Sequence, residues 1–159
     1  MQTKDELNQE MVDAAFVCDL VRVRDLLAAG ADPNVRDEDG RTPLHQAVLG
    51  NSLAIMLLLI EAKADLNAAD RHAWTALHFA AQEYLPDLAR MLLAGGADPN
   101  AQDDEGCSVL WRAVFSAGGR VDLVRLLLDK GAKEDLANLA GETPRALADR
   151  LDFSVFSAN

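Results

Sequence analysis

Apolar residues along this chain fall in short helical stripes separated by polar turns. Leu44, Ala47 and Val48 follow the three- and four-residue spacing of a core-facing helix. The longest apolar run, residues 53–60, has the length of a buried helix and falls well short of a membrane span. The stripes recur at a fixed interval. Thr42-Pro43-Leu44-His45 returns thirty-three residues later as Thr75-Ala76-Leu77-His78. It returns again, degraded, as Ser108-Val109-Leu110-Trp111 and Thr143-Pro144-Arg145-Ala146. A second echo keeps the same register: Gly30-Ala31-Asp32-Pro33-Asn34, Lys63-Ala64-Asp65-Leu66-Asn67 and Gly96-Ala97-Asp98-Pro99-Asn100. A period of this length predicts an all-α solenoid of stacked helix–turn–helix units.

Superposing the motif divides the chain into an N-terminal capping unit over residues 4–36 and full repeats over 37–69, 70–102 and 103–136. A closing unit over 137–159 completes a single domain. The third repeat is longer by two residues, carried by Gly118-Gly119 between its helices. That insertion is either a tolerated surface loop or a reshaped binding edge. In each full unit the Thr or Ser caps a helix and Pro43 occupies a first helical position. Small residues at Ala47, Ala80 and Ala113 mark where neighbouring helices approach closely. Gly30, Gly96 and Gly131 supply the left-handed residue after the second helix, and Lys63 takes that place in the first full repeat. Asp-x-x-Gly turns open the next units, with Ala73 where Gly is expected. The polar segment from Lys4 to Glu10 and Arg145, at the place of Leu44 and Leu77, suit outer faces left to solvent.

These motifs resemble the ankyrin-repeat family over about residues 5–150. The resemblance implies stacked helix pairs with finger-like turns along one edge, acting as a non-catalytic scaffold for protein partners. A narrower likeness lies in residues 106–115, which are followed by a glycine-containing loop, and in residues 141–148. Both are similar to small bacterial ankyrin proteins that include toxin-immunity proteins. That likeness implies a cytoplasmic protein that neutralises a cognate toxin. An adaptor or regulatory scaffold for a cytoplasmic host complex would carry the same sequence.

Charge narrows the partner. Fifteen Lys and Arg stand against 26 Asp and Glu, giving a net charge of −11 and an isoelectric point near 4.5. Phosphate backbones and anionic membranes need concentrated cations, so neither is an expected ligand. A basic protein domain would be attracted, although simple solubility accounts for the same balance. Cys18 and Cys107 lie far apart and lack metal-ligand spacing, so no disulfide framework or zinc site is expected. The first ten residues carry no apolar run of the kind a secretory leader needs.

Chemistry has few candidates. His45 and His78 occupy equivalent places, on the order of 10 Å apart by helix-packing distances, too far to share a metal. Each is expected to bond its local Thr. His72 sits on a finger between Arg71 and Trp74 with no ligand set around it. Cys107 follows Asp103, Asp104 and Glu105, which raise a thiol's pKa and leave it inert. No phosphate loop or nucleophile elbow occurs, so no enzyme, cofactor or metal is expected.

A binding surface is easier to place. The family's concave face, mapped onto this sequence, takes finger positions Asp39, Arg41, Arg71, His72, Trp74, Asp104 and Glu105. Its helix positions are Phe16, Leu49, Gln82 and Phe115, with Tyr84, Trp111 and Arg112 beside them. Phe16, Leu49 and Phe115 with Trp74 form an apolar row suited to an interface core, and the acids form its rim. Trp111 suits core and interface equally. The chain alone is expected to be monomeric.

Overall fold

The computed structural model describes residues 3–156. Nine helices and no strand occur among the described residues, and one antiparallel bridge joins Gln102 to Ser108. The helices are α1 Lys4–Phe16, α2 Leu20–Ala28, α3 Pro43–Leu49, α4 Leu53–Glu61, α5 Ala76–Gln82, α6 Pro86–Ala94, α7 Val109–Ser116, α8 Asp122–Asp129 and α9 Pro144–Arg150. They fall into two compact units, one reaching to Arg71 with α1–α4 and one from His72 with α5–α9. The first buries Met11, Leu26, Leu44, Ile55, Met56 and Leu59, and the second Leu77, Leu92, Leu110, Leu123, Leu127 and Leu147.

Most of the helices start where a side chain replaces a missing backbone acceptor, α6 and α8 being the exceptions. Thr75 Oγ1 accepts from the His78 N–H at 3.4 Å, Ser108 Oγ from Trp111 at 3.2 Å and Thr143 Oγ1 from Ala146 at 3.1 Å. Pro43 and Pro144 open α3 and α9. The polar segment at the amino end is not a lead-in but the first turns of α1. Thr3 and Glu6 form a reciprocal capping box there, which starts the helix early. Met11, Ala14 and Ala15 supply its buried face.

The first helix of each pair ends on a residue of positive φ. Cys18, Asn51, Tyr84, Gly118 and Asp152 have φ between +50° and +57°. The amide after it donates back into the last turn in four of the five: Asp19 to Ala14, Ser52 to Ala47, Leu85 to Ala80 and Phe153 to Ala148, each near 2.8–2.9 Å. In the third repeat residues 117–121 span the gap that 50–52 and 83–85 span earlier. There Arg120 N–H bonds the Ala117 carbonyl, and the Arg120 guanidinium donates to the Ser116 and Ala117 carbonyls. Close approach is required at Gly50, where an added Cβ would lie 2.1 Å from Cys18 Sγ.

Lys63 holds φ +65° after α4, the place glycine takes after the other second helices. Its side chain is exposed, so the strain has no packing to offset it. Lys63→Gly should therefore raise stability by about 1 kcal/mol, read from urea midpoints at constant m.

His78 locks turn to helix. The Thr75 N–H donates to its Nδ1 at 3.1 Å, so Nε2 carries the proton and donates to the Cys107 carbonyl at 3.3 Å. His45 receives the same bond from Thr42 at 3.0 Å. Burial pushes the pKa of His78 down to about 4. The unfolded chain then binds a proton near pH 6.5 that the fold refuses until about pH 4. Stability from this group is complete above pH 6.5 and is lost as pH falls toward 4, by roughly 3 kcal/mol. Urea titrations of wild type and His78→Gln across that window should show the steeper fall in wild type.

Candidate protein-binding site

The third finger, which lies in the second unit, begins with a carboxylate withdrawn from water. Asp103 Oδ1 accepts from the Glu105 and Cys107 amides at 3.0 and 2.9 Å, which folds the turn. Its Oδ2 accepts from Arg112 Nε at 2.9 Å and Nη2 at 2.5 Å, and Arg112 Nη2 also reaches Glu105 at 2.5 Å. The first unit has a neutral counterpart. Asp37 accepts from the Asp39 and Arg41 amides and from Gln46 Nε2, nine residues on.

Pinned in this way, the guanidinium of Arg112 lies 4.7 Å from the Trp74 ring centre and 5.3 Å from that of Trp111. Trp74 also packs on Phe79 at 5.0 Å and His78 at 5.9 Å. Trp111 stacks on Phe115 at 5.5 Å with the rings 9° from parallel. The result is a ladder running Phe79, Trp74, Arg112, Trp111, Phe115. It alternates π faces with a cation and ends in a ring 53% exposed. Beside it the second and third fingers are joined by the Asp104 N–H to the His72 carbonyl at 3.0 Å. His72 Nδ1 also pairs with Asp104 Oδ2 at 3.0 Å.

The sequence-derived residues divide accordingly. His72, Trp74, Asp104, Glu105, Trp111, Arg112 and Phe115 come together in the second unit. Gln82 is half-buried there. In the first unit Phe16, at 70% exposure, and Leu49 are open at the ends of α1 and α3. Asp39 lies 3.5 Å from Arg41, whose Nε is 3.8 Å from Asp70, and Arg71 is exposed on its finger. Two of these residues are buried. Tyr84 is only 6% exposed. Its hydroxyl donates to Asp122 at 2.9 Å, and Arg120 covers its ring at 3.8 Å, so it joins helices instead of meeting a partner. Burial first, and then Asp122, pushes its pKa up to about 12. Trp111 is 9% exposed and supports Phe115 by stacking, and it also lines an open cavity with Asp104, Glu105 and Leu139.

Cys107 is buried. Its pKa is raised, by burial ahead of the neighbouring acids, so it stays a thiol. The ligand atoms of Asp103, Glu105 and Cys107 lie within 4.8 Å of one another, but Arg112 already supplies the cation that the two carboxylates hold. Sequence reasoning missed Val21 and Leu53, exposed at the starts of α2 and α4, and the Tyr84–Arg120–Asp122 cluster. It also missed Asp103 as an organiser, although Asp37, Asp70 and Asp103 recur at the repeat interval.

Stacked helix pairs, bonded fingers and an exposed aromatic edge define a repeat scaffold of the binding type. Residues 11–103 match the model for ankyrin repeats in three copies, and the chain belongs to that family. A stretch of 56 residues is 45% identical to potassium channel SKOR of Arabidopsis thaliana, covering 35% of this chain and 7% of the channel. Another match, over 54 residues at 43% identity, is to potassium channel GORK of the same plant, covering 34% and 7%. The chain thus matches only a small part of these relatives. Ankyrin repeats generally bind proteins, and this family is typically non-catalytic. No helix among the described residues is long and apolar enough to cross a membrane.

Arg112→Ala leaves the Asp103 carboxylate buried without its cation, a change expected to cost about 3 kcal/mol. Arg112→Gln restores a donor of the kind Gln46 gives Asp37 and should lose about half as much. Chemical denaturation of the two variants would separate them.

Proposed function

We propose that this chain holds one specific protein partner on the surface that ends at Phe115, with the acidic fingers as its rim. The observation that carries this reading is the ladder. Phe115 is held out by a stacked indole, which is itself braced by Arg112, so a large apolar face is presented with little freedom left to lose on binding. Exposed Asp104 and Glu105 flank the ladder and favour a basic partner. The sharper form is an immunity protein covering a basic toxin domain. It rests on the acidic surface and on the sequence reading that residues 106–115 and 141–148 resemble small bacterial ankyrin proteins, which include toxin-immunity proteins. The cytoplasm is its proposed location.

A second reading is favoured by the matched stretches in two potassium channels: an adaptor or regulatory module acting on another protein. Co-expression with a toxin encoded beside this gene separates the two. Rescue of growth together with a stable complex supports immunity, and failure of both rejects it. Affinity purification from the native cells would then recover a host complex if the adaptor reading holds.

With the partner in hand, Trp74→Ala and Phe115→Ala should each weaken binding by more than about 1 kcal/mol in calorimetry. Raising salt should slow association while changing dissociation little. Unchanged affinity in both variants would place the interface elsewhere.

A further inference from the structure

The residue after each first helix does more than end it. In the first unit the Cys18 side chain points at the next helix end, with Sγ where a Cβ on Gly50 would stand. In the second unit Tyr84, at the same place after α5, reaches the next connection. Its ring lies under Arg120, and its hydroxyl accepts from the Leu123 amide at 3.4 Å while donating to Asp122. At these two places the side chain fills the notch between successive helix connections, whereas Asn51, at the same position after α3, is exposed. After α7 the position is Gly118, at φ +54°, and a Cβ there would meet nothing within 4 Å. The notch it leaves is a cavity of about 330 Å³ lined by Phe115, Gly118, Gly119, Leu151, Asp152 and Phe153, among others.

We propose that this notch is an anchor site for an aromatic side chain presented by a polypeptide partner, taking the place that Tyr84 takes one repeat earlier. The proposal rests on the reading that the chain binds protein. The occupant follows from the lining and from the internal precedent. Phe115, Leu151 and Phe153 supply apolar walls. Asp152 stands at the lining as Asp122 stands at the Tyr84 hydroxyl, which suits a phenol, and it favours a neighbouring Lys or Arg on the partner. Phe115 and Leu151 are both exposed large apolar residues, so the walls are open to a partner. The two-residue lengthening between α7 and α8, read from sequence as loop or binding edge, here becomes part of a binding edge.

The test uses the full ¹⁵N-labelled chain titrated with N-acetyl-L-tyrosinamide, followed by amide shifts. A Kd on the order of 1 mM is expected for a ligand of this size. Shifts should saturate and concentrate at Val114–Arg120 and Leu151–Phe153. N-acetyl-L-leucinamide should bind about fivefold more weakly. Gly118→Tyr, which places the chain's own ring at the φ that Tyr84 already tolerates, should abolish the response with helicity retained. Should that variant unfold, Phe115→Ala serves instead and should weaken binding about fivefold. Dispersed or absent shifts, equal binding of the leucine amide, or no change in the folded variants would overturn the proposal. Concentration-dependent shifts at the same amides without ligand would make a second copy of the chain the occupant and overturn it too. A failed titration alongside partner binding that still depends on Trp74 would reject the notch and leave the protein-binding reading standing.

Discussion

Asp103 must satisfy both carboxylate oxygens without water, and much of the second unit follows from that demand. An ionised carboxylate taken out of solvent costs several kcal/mol unless donors replace its hydration. Two come from the amides of Glu105 and Cys107, and their positions set the shape of the finger. The others come from Arg112, nine residues along, and so bind finger to helix. Asp37, which is only half-buried, folds the same turn and takes Gln46 in place of an arginine, so the turn itself needs no cation. What the charge at position 112 adds is a planar guanidinium between two indoles. Trp111, anchored against it, then holds Phe115 outward. A scaffold contact has become the support of a surface.

The residues that close the first helices make a parallel case. A left-handed residue is needed after each, and glycine would meet that need with the least strain. Cys18 and Tyr84 accept the strain and use their side chains to pack the next connection. Tyr84 illustrates the exchange: roughly 1 kcal/mol of backbone cost is set against a buried ring, a cation over it and a hydroxyl bond. Gly118 avoids the strain and leaves the space open. The local rule that makes glycine comfortable there is the same one that produces the cavity beside Phe115.

Repeat period, helix starts and helix ends were legible from the residues, because each depends on local chemistry: a hydroxyl before a helix, a positive φ after it, apolar spacing within. The outward Phe16, Leu49 and Phe115 were legible for the same reason, since they fall off the core stripe. Tyr84 was not. Replacement of a usual glycine signals an exception but gives no direction to the side chain, and the contact with Asp122 spans two helix connections. Trp111 was ambiguous because an indole suits both core and interface. Its burial depends on Arg112, whose link to Asp103 has no local periodicity. The recurrence of Asp37, Asp70 and Asp103 with Gln46 and Arg112 at one offset carried that information, and only comparison across repeats exposes it.

The negative field around the protein follows from how the scaffold uses its cations. Arg112 is held by Asp103 and Glu105, Arg22 by Glu10, Arg145 by Glu134 and Arg150 by Glu142. Arg36 and Arg120 spend their donors on backbone carbonyls at a finger and a helix end. The acids are in excess, and several fold turns through the backbone beside them, as Asp65 does with the Asn67 amide and Asp98 with that of Asn100. Both carboxylates are exposed to solvent. Cations are thus drawn into structural work while an excess of carboxylates is left outward. A basic surface approaching the fingers of the second unit would meet Asp104 and Glu105 already positioned, one by His72 and the other by Arg112. Binding there would not have to break a salt bridge that the fold depends on, so long as Arg112 stays with Asp103.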